Sequence, residues 1–228
     1  KSPKYRKKII VLCVITIFVT MIIFSCMQTM RASSIGLTAQ NFANRSDGLA
    51  YYDTNHIIFK LLGNELGFGL SAILTSYLSS GYYGLSLCLQ LPFVFCYGVG
   101  NSYALSMFAH LFLGWENMYY RTYLYRMETV FGRNGLRSWN TIFPWLASDL
   151  TFPGVIVLFL VIGYVWSITW DEILKYRNPI SLVLFANICM GLIFIPANNQ
   201  LLAGIDGCMT TPFVIIMWIL LHKKFNRR

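Results

Sequence analysis

The chain of 228 residues is 56% hydrophobic and only 12% charged, and its formal net charge is +9. Soluble domains average about 25% charged residues, so this composition excludes a soluble globular protein. It predicts an all-α, polytopic integral membrane protein. The six cysteines lie in or beside apolar segments with no CxxC or histidine-rich spacing, which disfavours a disulfide framework and a zinc site.

The chain begins with a basic segment, residues 1–8, directly before an uncharged apolar stretch, residues 9–27. At ~1.5 Å per residue this stretch nearly crosses the ~30 Å hydrocarbon layer, and it is long for a signal peptide. We therefore predict a transmembrane helix over 9–27 and a structured loop over 28–65. Because the first residue is not Met, we expect the chain to be the later part of a larger membrane protein, entered at a cytoplasmic loop.

Residues 66–115 contain no Asp, Glu, Lys or Arg. This length suffices for two membrane crossings. We predict an interfacial helix over 66–80, followed by a pair of apolar halves at 82–97 and 103–115 with a glycine-containing turn between them. Both halves are short, so a membrane hairpin and a re-entrant pair both stay open.

Alternating apolar and polar segments follow to the end of the chain. They predict a loop at 116–151, a transmembrane helix at 152–170, a loop at 171–179, a transmembrane helix at 180–196, a loop at 197–207, a transmembrane helix at 208–222 and a basic tail at 223–228. Lys and Arg accumulate on the cytoplasmic side of membrane proteins. The segments at 1–8, 171–179 and 223–228 hold eleven basic and two acidic residues, so we place all three in the cytoplasm.

The loop at 116–151 then lies on the outer side, although it contains Arg121, Arg126, Arg133 and Arg137. Outer loops avoid arginine during insertion, so four arginines there indicate an anionic partner. Guanidinium groups bind phosphate or carboxylate through two hydrogen bonds at once. The alternative is a solvated loop that departs from a statistical rule.

Tyrosine and aspartate add candidate sugar-binding and proton-accepting groups to this loop. Tyr119 and Tyr123 alternate with the arginines, and their rings could stack on sugars or form the usual aromatic belt at the membrane interface. Asp149 precedes the helix predicted at 152–170. Its carboxylate could act as a general base or serve only as a helix cap.

The two remaining outer loops contain further polar candidates. Asn198, Asn199 and Gln200 offer neutral hydrogen bonds that suit either a hydroxyl-rich ligand or a helix end that needs caps. Arg45, in the loop at 28–65, could join the other arginines or pair with a neighbouring carboxylate.

Four motifs occur in a familiar order: Gly81-Tyr-Tyr-Gly-Leu-Ser86, Tyr97-Gly-Val-Gly-Asn-Ser102, Trp139-Asn-Thr with Asp149-Leu-Thr-Phe-Pro-Gly, and Ile195-Pro-Ala-Asn-Asn-Gln200. Together they resemble the later half of bacterial oligosaccharide repeat-unit polymerases, the Wzy-type O-antigen and capsule polymerases, over about residues 31–221. The resemblance implies a GT-C-like helix bundle in the bacterial inner membrane. It also implies a glycosyltransferase that joins undecaprenyl-diphosphate-linked oligosaccharide units at the periplasmic face, without a nucleotide sugar, cofactor or metal.

The essential arginines of that family lie in periplasmic loops. We therefore predict that Arg133 and Arg137 stabilise the leaving diphosphate and that Asp149 activates the acceptor hydroxyl. The predicted substrate-binding residues are Arg121, Arg126, Arg45, Tyr119, Tyr123, Asn198, Asn199 and Gln200. The implied partners are lipid-linked oligosaccharides, the bilayer and a chain-length regulator, and no nucleic acid is expected.

Three other functions stay open. A flippase for lipid-linked oligosaccharide would line a cavity at the membrane midplane with polar groups. An O-antigen ligase would use the same donor with a different acceptor. A structural membrane subunit would tolerate neutral residues in place of the arginines.

Overall fold

The computed structural model describes residues 3–34, 36, 55–67 and 74–225, and all regular structure within them is helical. The elements are α1 (Pro3–Ser34), α2 (Ile57–Gly67), α3 (Leu74–Cys88), α4 (Tyr103–Leu113), a 3-10 turn (Met118–Arg121), α5 (Tyr123–Phe131), α6 (Ile142–Tyr176), α7 (Pro179–Ile193) and α8 (Ile205–Phe225). The prediction of an all-α chain is confirmed for these residues. The chain divides into two compact units, residues 1–79 and 80–228.

Within the described residues, three helical segments are long and apolar enough to cross a membrane: Lys7–Arg31, Ile142–Tyr176 and Ile205–His222. In the first unit, α1 leaves most of its apolar side chains exposed, Leu12 and Phe18 among them. Water would not stabilise such a surface, whereas lipid would. The described helices therefore fit a membrane location. The span predicted at 180–196 is shorter, since α7 has 15 residues and a length of about 22 Å.

In the second unit, α6, α7 and α8 pack side by side around Leu184, Ile188 and Trp218. The backbone N–H of Ile142 donates to the carbonyl of Ile195 at 3.0 Å, which joins the start of α6 to the end of α7. We call this the loop end of the bundle. The opposite, basic end contains the α6–α7 connection and the end of α8.

A buried carboxylate ties the three helices together at the basic end. Glu172 of α6 accepts hydrogen bonds from Ser181 Oγ of α7 and from Trp218 Nε1 of α8, the latter at 3.0 Å. His222 Nδ1 lies 3.4 Å from the same carboxylate. Sequence reasoning counted Glu172 among the charges of a cytoplasmic loop, but the structure buries it between helices.

A break divides α6 into two parts. Thr151 has a φ of 65°, a backbone conformation that β-branched residues rarely adopt. Its Oγ1 accepts from Gly154 N at 3.3 Å, so Thr151 caps the second part, and Pro153 falls in a first turn that needs no N–H there. Residues 142–150 were predicted as loop and are helical. The predicted start of the span at residue 152 coincides with the second part.

After the end of α2, the described part of the apolar region at 66–115 contains two short helices, α3 and α4. The second, α4, has 11 residues and a length of about 16 Å, too short for the ~30 Å hydrocarbon layer. The first, α3, ends at Cys88 instead of continuing towards residue 97, because Pro92 in the following segment has no backbone N–H to donate. These lengths favour the re-entrant pair over a membrane hairpin with two crossings.

Candidate functional site

Two glycines of α3 allow the loop end to pack closely. A Cβ atom on Gly84 would overlap Asn140 Oδ1, and one on Gly81 would overlap the carbonyl oxygen of Pro196. The motif Gly81-Tyr-Tyr-Gly84 therefore has a packing role. It lets the segment before α6 and the segment after α7 pack against the same face of α3.

Arg133 is buried by this packing, with 3% of its surface exposed. Its Nη2 donates to the carbonyl and the Oγ of Ser80, at 3.0 and 2.8 Å, and to the carbonyl of Trp139 at 3.0 Å. Its Nε donates to Asn140 Oδ1 at 3.4 Å, and the guanidinium lies over the ring of Tyr83. The catalytic role of Arg133 stays a prediction. These contacts favour a structural role, because they occupy Nε and Nη2 with protein oxygens.

Asp149, in the first part of α6, holds the turn at 97–101. Its Oδ1 accepts from Gly98 N at 2.9 Å, and its Oδ2 accepts from the backbone N and the Nδ2 of Asn101 at 2.9 and 3.1 Å. Tyr97 and Gly98 both have a positive φ, of 55° and 81°. A carboxylate that binds three N–H groups offsets the cost of this strained turn. Thr151, and not Asp149, caps the second part of α6. The general-base role of Asp149 stays a prediction.

Arg121 and Arg126 lie on adjacent elements that Thr122 connects. The Thr122 side chain accepts from Tyr125 N at 3.3 Å and caps α5. The Nε of Arg126 donates to the carbonyl of Arg121 at 3.0 Å, and its Nη1 donates to the carbonyl of Pro92 at 2.7 Å. The two arginine residues are therefore held next to each other at the loop end.

Each of these guanidinium groups lies over an aromatic ring. The Cζ of Arg121 is 5.3 Å from the centre of the Tyr97 ring, and that of Arg126 is 4.9 Å from the Tyr123 ring. Arg121 Nε and Arg126 Nη2 are buried, yet neither makes a hydrogen bond within the part of the chain that the structure describes. Buried N–H groups nearly always have an acceptor, so these two atoms indicate a place for an anion or for water.

The two predicted tyrosines belong to the core. Tyr119 packs edge-on against the rings of Tyr103 and Tyr125, and burial raises the pKa of its phenol. Tyr123 packs against Phe152, with 5.1 Å between ring centres. Their sugar-binding role stays a prediction. Burial leaves little ring surface for a sugar, and Tyr123 instead supports Arg126.

A cavity of about 360 Å³ opens beside these elements, and five of its lining residues are Tyr103, Arg137, Trp139, Trp145 and Asn198. We call it the tryptophan cavity. Sequence reasoning singled out Arg137 and Asn198 but missed the three aromatic residues. The two tryptophans on either side of the start of α6 were the available signal, since indole rings commonly line sugar sites.

The three polar residues that follow Pro196 separate in the structure. Asn198 lines the tryptophan cavity, and its Oδ1 is buried without a hydrogen bond among the described residues. Asn199 is fully buried and its Nδ2 donates to the carbonyl of Asn101 at 2.9 Å. Gln200 lines a different cavity, between α7 and α8. Thus Asn199 connects the Asp149-bound turn to the tryptophan cavity.

An apolar cavity of about 370 Å³ adjoins the tryptophan cavity, with which it shares Tyr103, Ala203 and Gly204. It lies between α4 and α8, and Leu105, Phe108 and Met209 are among its lining residues. We call it the apolar groove. An apolar surface therefore borders an aromatic and cationic one.

Compared with protein-family models, with curated proteins and with solved structures, the chain has no match. Of the predicted site residues, the structure places Arg121 and Arg126 side by side and puts Arg137 and Asn198 at one cavity. Arg45 lies outside the described residues. Within the described residues, no three His, Cys, Asp or Glu side chains form a potential metal site.

Proposed function

We propose that the loop end is the transfer site of a membrane glycosyltransferase. Its reaction is the joining of oligosaccharide repeat units carried on a polyprenyl diphosphate, at the periplasmic face of a bacterial inner membrane. One observation carries the proposal: Arg121 Nε and Arg126 Nη2, on two residues that a hydrogen bond joins, are both buried and without an acceptor in the described structure. A diphosphate supplies several acceptor oxygens and the negative charge that two guanidinium groups require.

The chemistry of the transfer explains why such donors would matter. The bond between the anomeric carbon of the donor glycan and the diphosphate oxygen breaks, and the acceptor hydroxyl oxygen forms the new bond and loses its proton. Negative charge builds on the departing diphosphate. Donors aimed at that charge stabilise the transition state more than the bound substrate, and one such donor is typically worth ~3 kcal/mol, or about a hundredfold in rate.

The two cavities that share Tyr103 suit a substrate with an apolar and a polar part. The apolar groove can accept part of a lipid chain, and the tryptophan cavity that adjoins it can accept a sugar. A water-soluble nucleotide sugar has no apolar chain that could occupy the groove. This arrangement supports a lipid-linked substrate.

Asp149 has a positioning role in this proposal. It binds the N–H of Gly98, the residue next to Tyr97, and the Tyr97 ring underlies the Arg121 guanidinium. Asp149 thereby supports the arginine through a strained turn. The predicted role as general base for the acceptor hydroxyl is the alternative, and the two roles differ in their effect on stability.

Glycan length in cells tests the proposal. Cells that lack their repeat-unit polymerase would receive the complete gene carrying Arg121→Gln, Arg126→Gln or neither change, and gels would resolve the glycans. We expect a long ladder from the unchanged gene and a single repeat from each variant, at equal membrane protein levels. Lys175→Gln at the basic end is the matched control, since it removes one exposed positive charge, and it should leave the ladder intact.

Two results would contradict the proposal. Long ladders from both arginine variants would remove the diphosphate-binding role. If deletion of the gene abolishes even the single capped repeat, the protein acts upstream, in flipping or synthesis, and does not join the units.

A further inference from the structure

The tryptophan cavity has a positive charge of its own, which does not belong to the proposed diphosphate site. Arg121 and Arg126 would hold the diphosphate, whereas Arg137 lies at the cavity with Tyr103 and Trp139. The described residues that line the cavity include no carboxylate. A ligand there meets a positive charge with nothing in the lining to neutralise it.

The nearest acidic residue in sequence is already engaged. Glu128, which lies between the four arginines in sequence, accepts from Asn134 Nδ2 at 2.9 Å through one oxygen and from Gly135 N at 3.1 Å through the other. The Arg137 side chain is exposed and makes no hydrogen bond or ion pair within the described part of the chain. Its backbone is fixed, however, because Arg137 N donates to Asn134 Oδ1 at 2.6 Å.

The other groups of the cavity suit a sugar ring. The exposed indole of Trp139 offers an apolar face, and the phenol of Tyr103 lies at the boundary with the apolar groove. Asn198 Oδ1, buried and without a described donor, can accept a hydrogen bond from a hydroxyl. The cavity volume, about 360 Å³, is at the small end of the ~300–1,000 Å³ typical of ligand sites, which fits a terminal sugar better than a long glycan.

We propose that the tryptophan cavity selects an acidic sugar, a hexose unit with a carboxylate, through Arg137. The guanidinium binds the carboxylate with two parallel hydrogen bonds, the Trp139 indole packs on the ring, and Asn198 accepts from a ring hydroxyl. This inference rests on the proposed function, whose substrate class it narrows. A carboxylate is favoured over a phosphate because the cavity has one arginine in its described lining, whereas the proposed diphosphate site has two.

Binding to the purified full chain in detergent tests the inference separately from glycan transfer. Tryptophan fluorescence would be titrated with methyl glucuronide, methyl glucoside and glucose 1-phosphate. We expect the glucuronide to bind about tenfold more tightly than the glucoside, as a charge-assisted pair allows. Glucose 1-phosphate should bind more weakly than the glucuronide. Trp139→Phe should reduce the fluorescence change, which assigns binding to this cavity.

Two variants separate charge from ring binding. Arg137→Gln should remove the preference for the glucuronide and leave glucoside binding unchanged, whereas Arg137→Lys should retain part of the preference. Equal affinity of the unchanged protein for glucuronide and glucoside would overturn the inference. So would tighter binding of glucose 1-phosphate, or a preference that survives Arg137→Gln. The binding experiment measures no transfer, so its result does not depend on whether the protein polymerises glycan in cells. Equally, a negative binding result would not contradict a long glycan ladder in cells.

Discussion

Arginines that are equivalent in sequence have different roles because their nitrogens have different neighbours. Arg133 donates to a backbone carbonyl on each side of the contact between α3 and the start of α6. Arg126 uses two nitrogens to hold the chain and leaves the third buried without a described acceptor. Arg137 is exposed at a cavity. The spacing of these residues contains no information about which nitrogen is engaged, so the sequence could rank them only by analogy.

Asp149→Asn tests whether Asp149 is an anchor or a base. The amide retains one acceptor oxygen and presents an NH₂ group to N–H donors of Gly98 or Asn101. A buried donor left unpaired costs about 1–3 kcal/mol. We expect the variant to unfold at a lower temperature than the unchanged protein in detergent, and to yield shorter glycans in the complementation assay.

The control for this change is Glu116→Gln, which neutralises an exposed carboxylate elsewhere in the second unit and should not alter the unfolding temperature. An Asp149→Asn protein that is as stable as the unchanged one, but makes only single repeats, would contradict the anchor role. That result would instead identify Asp149 as the group that takes the acceptor proton.

At the scale of helices, α3 depends on the absence of side chains at two positions one turn apart. Gly84→Ala would place a methyl group onto Asn140 Oδ1, which also binds Arg133, so several contacts must shift together. We expect a loss of about 1–3 kcal/mol in unfolding free energy, the usual cost of overpacking. Thermal unfolding of the purified protein measures it.

Gly163→Ala, within the second part of α6, is the matched control because, apart from its chain neighbours and the nearby backbone of its own helix, no described atom lies within 4 Å of the Cβ it would add. Alanine favours a helix over glycine, so the control should unfold at the same temperature or a higher one. Equal stability of the Gly84→Ala variant and the unchanged protein would show that α3 can move away from Asn140.

The helices themselves were largely predictable, because long apolar runs have few alternatives. The ends of the helices were not. Residues 142–150 fold as helix ahead of the break at Thr151, and α7 stops at Ile193. Glu172 shows the same limit, since its burial depends on Ser181 and Trp218 from two other helices. Local composition cannot report which polar residue will be covered by a distant segment.

The candidate site was predictable as a region but not as an arrangement. Asn199 and Asp149, from two predicted outer loops, do meet at the loop end, where both bond Asn101 of the turn predicted between the two apolar halves. Hydrogen bonds between residues separated by 98 and 48 positions depend on the whole helix arrangement, which no local pattern determines. The division of Asn198 and Gln200 between two cavities is a consequence of that arrangement.

At the scale of the whole molecule, the two ends of the α6–α8 bundle have opposite expected environments. The basic end has Lys175 and Arg177, and Asn178 Nδ2 donates to the carbonyl of His222 there at 3.4 Å. Arg137 belongs to the loop end. Because lysine and arginine accumulate on the cytoplasmic side, we predict that the basic end is cytoplasmic and the loop end periplasmic.

Cysteine labelling in intact cells measures this orientation. Arg137→Cys should react with a membrane-impermeant maleimide added outside, whereas Lys175→Cys should react only after the membrane is opened; both residues are exposed in the structure. The unchanged protein, with its six free cysteines, provides the background signal. Labelling of Lys175→Cys but not Arg137→Cys in intact cells would show that the chain has the opposite orientation in the membrane. The proposed transfer site would then face the cytoplasm, where it could not act on periplasmic lipid-linked units.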